Sequence, residues 1–173
     1  MNYKKLIREV PDFPKPGINF KDITTLLKNG KALKKSAKEI LKKFSKKKID
    51  AVAGIESRGF IFGSVIAYEL GVGFIPVRKP GKLPAESVSA SYDLEYGQNV
   101  LHLHKDAVKK GQRVLIIDDL LATGGTLRAT CDLVEKLGGK VAGIGVLVEL
   151  TFLKGRGKLK NYDVISLVQY DKE

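Results

Sequence analysis

Val114-Leu115-Ile116-Ile117-Asp118-Asp119-Leu120-Leu121-Ala122-Thr123-Gly124-Gly125-Thr126 carries an unbroken apolar run into two carboxylates and then into a small-residue loop. Four apolar residues without polar alternation predict a parallel strand buried on both faces. Asp118 and Asp119 then emerge at its carboxyl end, where open α/β sheets hold ligands. Ala122, Thr123, Gly124, Gly125 and Thr126 offer backbone N–H groups with little side-chain bulk, and Leu127, Thr130, Cys131 and Val134 recur at helical spacing. The start of such a helix favours a phosphate. Two acceptor-only carboxylates beside it take hydrogen bonds from a vicinal diol such as that of a ribose. The pattern suits one ligand that carries both phosphate and sugar. The alternative is a plain strand-to-helix turn with Asp and Thr as caps, which a lone Gly-Gly-Thr would favour; two adjacent acids at a buried strand end shift the balance to the ligand site.

Outward from this segment the chain alternates strands and helices. Tyr3, Leu6, Ile7 and Val10 predict a short helix, ended by Pro11, Pro14 and Pro16. A helix over residues 30–46 leads into a strand over 51–55, and a second apolar helical segment spans 60–70. A strand over 74–77 follows, and residues 87–91 and 100–104 form an antiparallel excursion. The strand over 113–118, a helix over 126–137 stopped by Gly138 and Gly139, and strands over 141–150 and 162–168 complete the chain. This alternation predicts an α/β fold with a mainly parallel twisted sheet flanked by helices.

The 173 residues, 43% of them hydrophobic, suit one domain spanning 1–173, because a chain of this size buries about 70% of its unfolded surface. No run approaches the roughly 18 apolar residues of a membrane span, which points to a cytoplasmic protein without a membrane partner. The only cysteine, Cys131, lies on the apolar side of its helix and leaves no internal disulfide or cysteine-based zinc framework. The net charge of +12 raises the question of nucleic acid. However, Lys34, Lys35, Lys38, Lys42 and Lys43 lie off the Leu33, Ala37, Ile40, Leu41 and Phe44 stripe, as on the wet face of an amphipathic helix. No aromatic residues interleave them, so no obligate nucleic-acid partner is expected.

Other residues carry chemistry with less specific signals. Glu56-Ser57-Arg58-Gly59 follows a strand and reaches the same sheet edge; Phe60 stands where a P-loop needs Lys, so that motif is rejected. By itself Arg58 is as consistent with a surface ion pair as with a ligand contact. Arg78, Lys79 and Lys82 surround Pro80 and Gly81, a loop that suits either an exposed basic turn or, beside a phosphate loop, a diphosphate. His102 and His104 share a strand face with no third ligand at a telling spacing, which favours a packing or surface role over zinc. No direct metal ligand is expected. A Mg²⁺ held mainly by substrate oxygens and water suits a diphosphate substrate.

The Asp118-to-Thr126 stretch resembles the ribose-phosphate signature of the type I phosphoribosyltransferases, and its variant is similar to that of the adenine phosphoribosyltransferase branch. Residues 13–23, the Glu56-Ser57-Arg58-Gly59-Phe60 segment, residues 78–84 and Leu94-Glu95-Tyr96-Gly97 extend the resemblance over nearly the whole chain, in the expected order. It implies a type I phosphoribosyltransferase fold with a flexible antiparallel lid. The implied reaction moves a 5-phosphoribosyl group from 5-phosphoribosyl 1-diphosphate to N9 of adenine, giving AMP and diphosphate in purine salvage. Asp118 and Asp119 would hold the ribose, and Ala122, Thr123, Gly124, Gly125 and Thr126 the 5-phosphate. Ser57, Arg58, Arg78, Lys79 and Lys82 would hold the diphosphate, with a cis Glu56–Ser57 bond. Glu95 would be the acid/base on the lid, and Mg²⁺ the cofactor. The N-terminal segment, about residues 1–30, would bind adenine through Asn19, Phe20 and Lys21, with Arg58 and Leu120 nearby. Asn19 and Lys21 stand where many family members carry an apolar residue and Arg. A basic side chain of the 78–82 loop would serve a neighbouring subunit, which implies a homodimer. The same fold also serves nucleotide-sensing regulators that bind nucleic acid, but no appended DNA-binding domain is visible.

Overall fold

The structure, a computed structural model, describes residues 1–94 and 97–172. Its centre is a five-stranded, all-parallel sheet in the order β4-β3-β7-β8-β9, built from β3 (Ala51–Ile55), β4 (Gly73–Val77), β7 (Arg113–Leu121), β8 (Lys140–Leu150) and β9 (Val164–Tyr170). The pleat sends successive side chains to opposite faces. Val114 and Ile116 therefore enter one core cluster while Leu115 and Ile117 enter the other. Burial on both faces explains why the run has no polar alternation.

Each face is closed by helices, joined on one face by an antiparallel strand pair. On the first, α4 (Gly125–Lys136) contributes Leu127, Cys131 and Val134, and the antiparallel pair β5 (Ser87–Leu94) and β6 (Gly97–His104) contributes Leu101 and Leu103. On the second lie α2 (Gly30–Lys43) and α3 (Gly59–Leu70). Asn29 caps α2 by accepting from the Ala32 N–H at 3.1 Å. Ala32, Ala37 and Ile40 are buried while Lys34, Lys35, Lys38, Lys42 and Lys43 are exposed, as the periodicity predicts. Among the described residues no helix is long and apolar enough to cross a membrane.

The N-terminal expectation needs correction. Only a single 3₁₀ turn forms, at Lys4–Leu6, and Arg8–Val10 is a strand, β1, paired antiparallel with β2 (Phe20–Asp22). Arg8 holds this register by donating to Asp22 Oδ2 from Nε at 2.9 Å and Nη2 at 2.6 Å. This non-local pairing overrides the local apolar spacing. Boundaries also move: α2 ends at Lys43 rather than 46, β7 runs on to Leu121, and β9 begins at Val164 rather than 162.

Strand order positions the site. From β3 the chain moves outward to β4 on one side, then returns to pair β7 on the other side of β3. The connections leaving β3 and β7 therefore diverge at their carboxyl ends and leave a crevice between them.

Candidate active site

Asp118 and Asp119 sit in that crevice at the end of β7, 9% and 5% exposed. Asp118 Oδ1 accepts the Asp119 N–H at 2.9 Å. The start of α3 presses onto this point. A Cβ on Gly59 would lie 2.7 Å from Asp118 Oδ1 and 3.0 Å from the Ile117 carbonyl, so the approach requires glycine. Burial, and then the charge of Asp119, raise the Asp118 carboxyl well above the usual carboxylate range. Burial raises Asp119 too, although the Arg58 charge pulls against it. Arg58 Nε lies 2.8 Å from Asp119 Oδ2. That pair does not have hydrogen-bonding geometry, so the buried oxygen keeps acceptor capacity. Ligand hydroxyls directed at the pair would supply what water no longer does.

The loop after β7 turns through Gly124, whose φ of +80° suits glycine, into α4. No side chain caps α4, so the N–H groups of its first turn are available to an anion. Ala122, Thr123, Gly124 and Thr126 line the crevice, a cleft of about 480 Å³; Gly125, the first residue of α4, does not line it.

The β3 side supplies Glu56, Ser57 and Arg58 to the lining, and the Glu56–Ser57 bond is cis. Glu56 Oε2 accepts from Arg78 Nε and from the Lys79 N–H, both at 2.9 Å. The Arg78 partner holds the Glu56 carboxyl below its ordinary range. Lys79 lines the cleft, whereas Arg78 is engaged by Glu56 and lies over the Phe60 ring at 5.7 Å, and Lys82 is exposed outside the lining. Phe20 and Leu120 close further walls, and the Arg58 guanidinium lies 5.1 Å from the Phe20 ring centre.

Asn19 and Lys21 do not line the cleft. Both donate to Glu9 Oε2, at 2.7 Å and 3.1 Å, and Lys21 is 5% exposed with its Nζ over the Tyr170 ring at 4.6 Å. Their side chains fasten β2 to β1 and to β9. Glu95 and Tyr96 lie outside the described residues. His102 Nδ1 is 3.1 Å from Ser87 Oγ, and its backbone exchanges two hydrogen bonds with Arg78, tying the antiparallel pair to the basic loop. Sequence reasoning missed Tyr92, Asn99 and Leu101, which line the cleft from β5 and β6. Their only signal was that the excursion sits between two site motifs. It also missed Glu56 as the holder of Arg78.

Among the described residues no three His, Cys, Asp or Glu side chains cluster to hold a metal. The cleft is lined by the adjacent carboxylates Asp118 and Asp119, by Glu56 and by the uncapped start of α4. That set fits a Mg²⁺ borne on diphosphate oxygens and water, which needs few protein ligands.

The model of the phosphoribosyl transferase domain matches residues 21–171. An adenine phosphoribosyltransferase of Clostridium perfringens is 60% identical over 99% of both chains. The chain belongs to the adenine phosphoribosyltransferase family. The crystal structure of the Thermoanaerobacter pseudethanolicus adenine phosphoribosyltransferase superimposes with a TM-score of 0.94 at 59% identity, covering 96% of this chain and 97% of that one. The Saccharomyces cerevisiae adenine phosphoribosyltransferase, complexed with an imino-altritol bisphosphate and adenine, gives 0.89 at 41% identity, covering 94% of each. The type I phosphoribosyltransferase fold of this family is thus the fold of this chain, with its parallel sheet and two antiparallel strand pairs.

Proposed function

We propose that this protein transfers the 5-phosphoribosyl group of 5-phosphoribosyl 1-diphosphate to N9 of adenine, releasing diphosphate and forming AMP. The observation that carries this reading is the convergence in one cleft of a buried carboxylate pair, an uncapped phosphate loop, Arg58 and the Phe20 ring. The yeast relative's complex with adenine and a bisphosphate supports the choice of base and of sugar phosphate.

Asp118 and Asp119 accept the ribose hydroxyls, and Ala122, Thr123, Gly124, Gly125 and Thr126 grip the 5-phosphate, so C1 is held at a fixed distance from the base. Adenine packs between Phe20 and Leu120. Because the Asn19 and Lys21 side chains are taken by Glu9, backbone groups of the 19–21 segment read its edge. Ser57, Arg58 and Lys79 receive the diphosphate, with Lys82 on the same loop. Arg78 leaves Glu56 for the diphosphate, its own or a neighbouring subunit's. A Mg²⁺ carried on the diphosphate substrate, with Asp118 and Asp119 as the nearby carboxylates, would neutralise the charge of the leaving group. As the C1–oxygen bond breaks, N9 closes on C1, and Glu95 takes the purine proton. The β5–β6 pair closes over the cleft and excludes water.

The working unit is a cytoplasmic homodimer of one-domain chains, each with its N-terminal segment on the base side. The outer face of α3 supports the dimer: Ile61 and Tyr68, two turns apart on one helical face, are exposed on a helix whose other side is core. Diphosphate release on mixing adenine, 5-phosphoribosyl 1-diphosphate and Mg²⁺ tests the activity. Release that EDTA abolishes is expected; a folded protein that binds both substrates and releases none would overturn it.

A further inference from the structure

Glu149 is the one charged side chain in the buried run of β8, 3% exposed. Its oxygens accept from Arg156 Nε at 2.6 Å and Nη2 at 2.7 Å, a fork-to-fork pair, and from Ser166 Oγ at 2.5 Å and Gln169 Nε2 at 3.3 Å. Arg156 Nη1 also donates to the Val164 carbonyl at 2.8 Å. Burial opposes ionisation of Glu149, yet the Arg156 partner and the Ser166 hydroxyl hold it below the ordinary Glu range. Neither Glu149 nor Arg156 lines the cleft.

The network fastens the 3₁₀ turn Gly155–Leu159 to β8 and β9. The far end of that turn, Leu159, is buried in the same cluster as Leu121 and Leu127. Its near end, Gly155, backs the loop of residues 122–124. A Cβ there would fall on the Ala122 carbonyl oxygen, 2.8 Å from Leu121 Cδ1 and 3.0 Å from the Gly124 nitrogen. The contact is reciprocal, since a Cβ on Gly124 would fall on the Gly155 carbonyl. Backbone thus rests on backbone between Gly155 and residues 122–124, with the Leu121 side chain packed beside the contact.

We infer that Glu149 and Arg156 are positioning residues for the phosphate loop: their forked ion pair fixes the Gly155 turn, and the turn fixes the loop N–H groups that grip the sugar's 5-phosphate. The inference rests on the transferase reading above. Only a guanidinium can satisfy both carboxylate oxygens and the Val164 carbonyl at once, because its donors are held in one plane. An ammonium retains the charge and loses the fork. The loop stands on one side of the cleft and Phe20 on another, so loosening the turn weakens the sugar phosphate and spares the base.

The test compares E149Q and R156K with the unsubstituted protein in KM for each substrate and in the dissociation constant for ribose 5-phosphate by calorimetry. Melting temperature is recorded so that all assays run on folded protein. In E149Q the ribose 5-phosphate constant and the KM for 5-phosphoribosyl 1-diphosphate rise on the order of 10-fold or more, with the adenine KM within about 2-fold. R156K shows the same selectivity with a smaller rise. Ribose 5-phosphate affinity unchanged in both folded variants, or equal rises for both substrates, overturns the inference. Absence of turnover in the unsubstituted protein counts against the transferase reading instead, and the ribose 5-phosphate comparison still decides the positioning role.

Discussion

Asp118 shows at the scale of one residue how the cleft exchanges stability for function. Its carboxyl is raised by burial and by Asp119, so between the unfolded carboxylate range and the raised folded value the folded chain holds a proton that the unfolded chain releases. Stability is therefore greatest below the unfolded carboxylate range and falls as pH rises through the raised folded value. D118N removes that charge and keeps an oxygen for the Asp119 N–H. Its melting temperature exceeds that of the unsubstituted protein at pH 7.5, and the gap closes toward pH 4 in a thermal-melt series. Its kcat/KM falls about 10- to 10²-fold, because a hydrogen bond to a charged acceptor is worth roughly 1.5–3 kcal/mol. For Glu95→Gln, turnover falls about 10²- to 10⁴-fold while substrate affinities hold; unchanged turnover at saturation removes Glu95 from the mechanism. The carboxylate pair was legible because charge at the end of an apolar run has few structural explanations. Lys21 was misleading for the opposite reason: cation, ion-pair partner and ring neighbour look alike in sequence, and only the Glu9 and Tyr170 contacts separate them. Glu149 had a signal, one acid in a buried run, but its partner Arg156 lies beyond the strand in a turn that periodicity does not describe.

At the scale of elements, the strand–loop–helix unit of β7 and α4 was legible because its contacts are local. Strand burial, the Gly-rich turn and the helical stripe are each written in consecutive residues. The β1–β2 pair was not, since its register depends on Arg8 meeting Asp22 across the intervening loop. Nor were Tyr92 and Asn99, which reach the cleft only because β5 and β6 fold over it. Gly124 tests the loop directly. Alanine there meets a φ of +80° and the Gly155 carbonyl together, a cost of about 1–3 kcal/mol for the backbone alone. G124A is expected to lower the melting temperature and to raise the KM for 5-phosphoribosyl 1-diphosphate on the order of 10-fold. A variant that melts and binds like the unsubstituted protein contradicts the loop's role.

For the whole molecule, charge and apolar surface make separate predictions. Residues 28–48 hold ten lysines against one acid, Glu39, so most of the positive excess lies on α2 and the segments flanking it, and none of these residues lines the cleft. Replacing Lys34, Lys35 and Lys42 with Glu leaves transfer rates unchanged and lowers any salt-dependent RNA binding, measured by fluorescence anisotropy. Loss of transfer in that variant contradicts the separation of the two surfaces. Tyr68, 86% exposed on α3, belongs to the proposed dimer face: light scattering is expected to give twice the chain mass, and Y68D a monomer. An unsubstituted monomer contradicts that face as a dimer contact. The most direct test of transfer to adenine offers the protein 5-phosphoribosyl 1-diphosphate and Mg²⁺ with equal adenine, hypoxanthine, guanine and xanthine, and measures each nucleotide by mass. AMP is expected, matched mole for mole by diphosphate, with the other nucleotides at background; a major product from another base would contradict transfer to adenine.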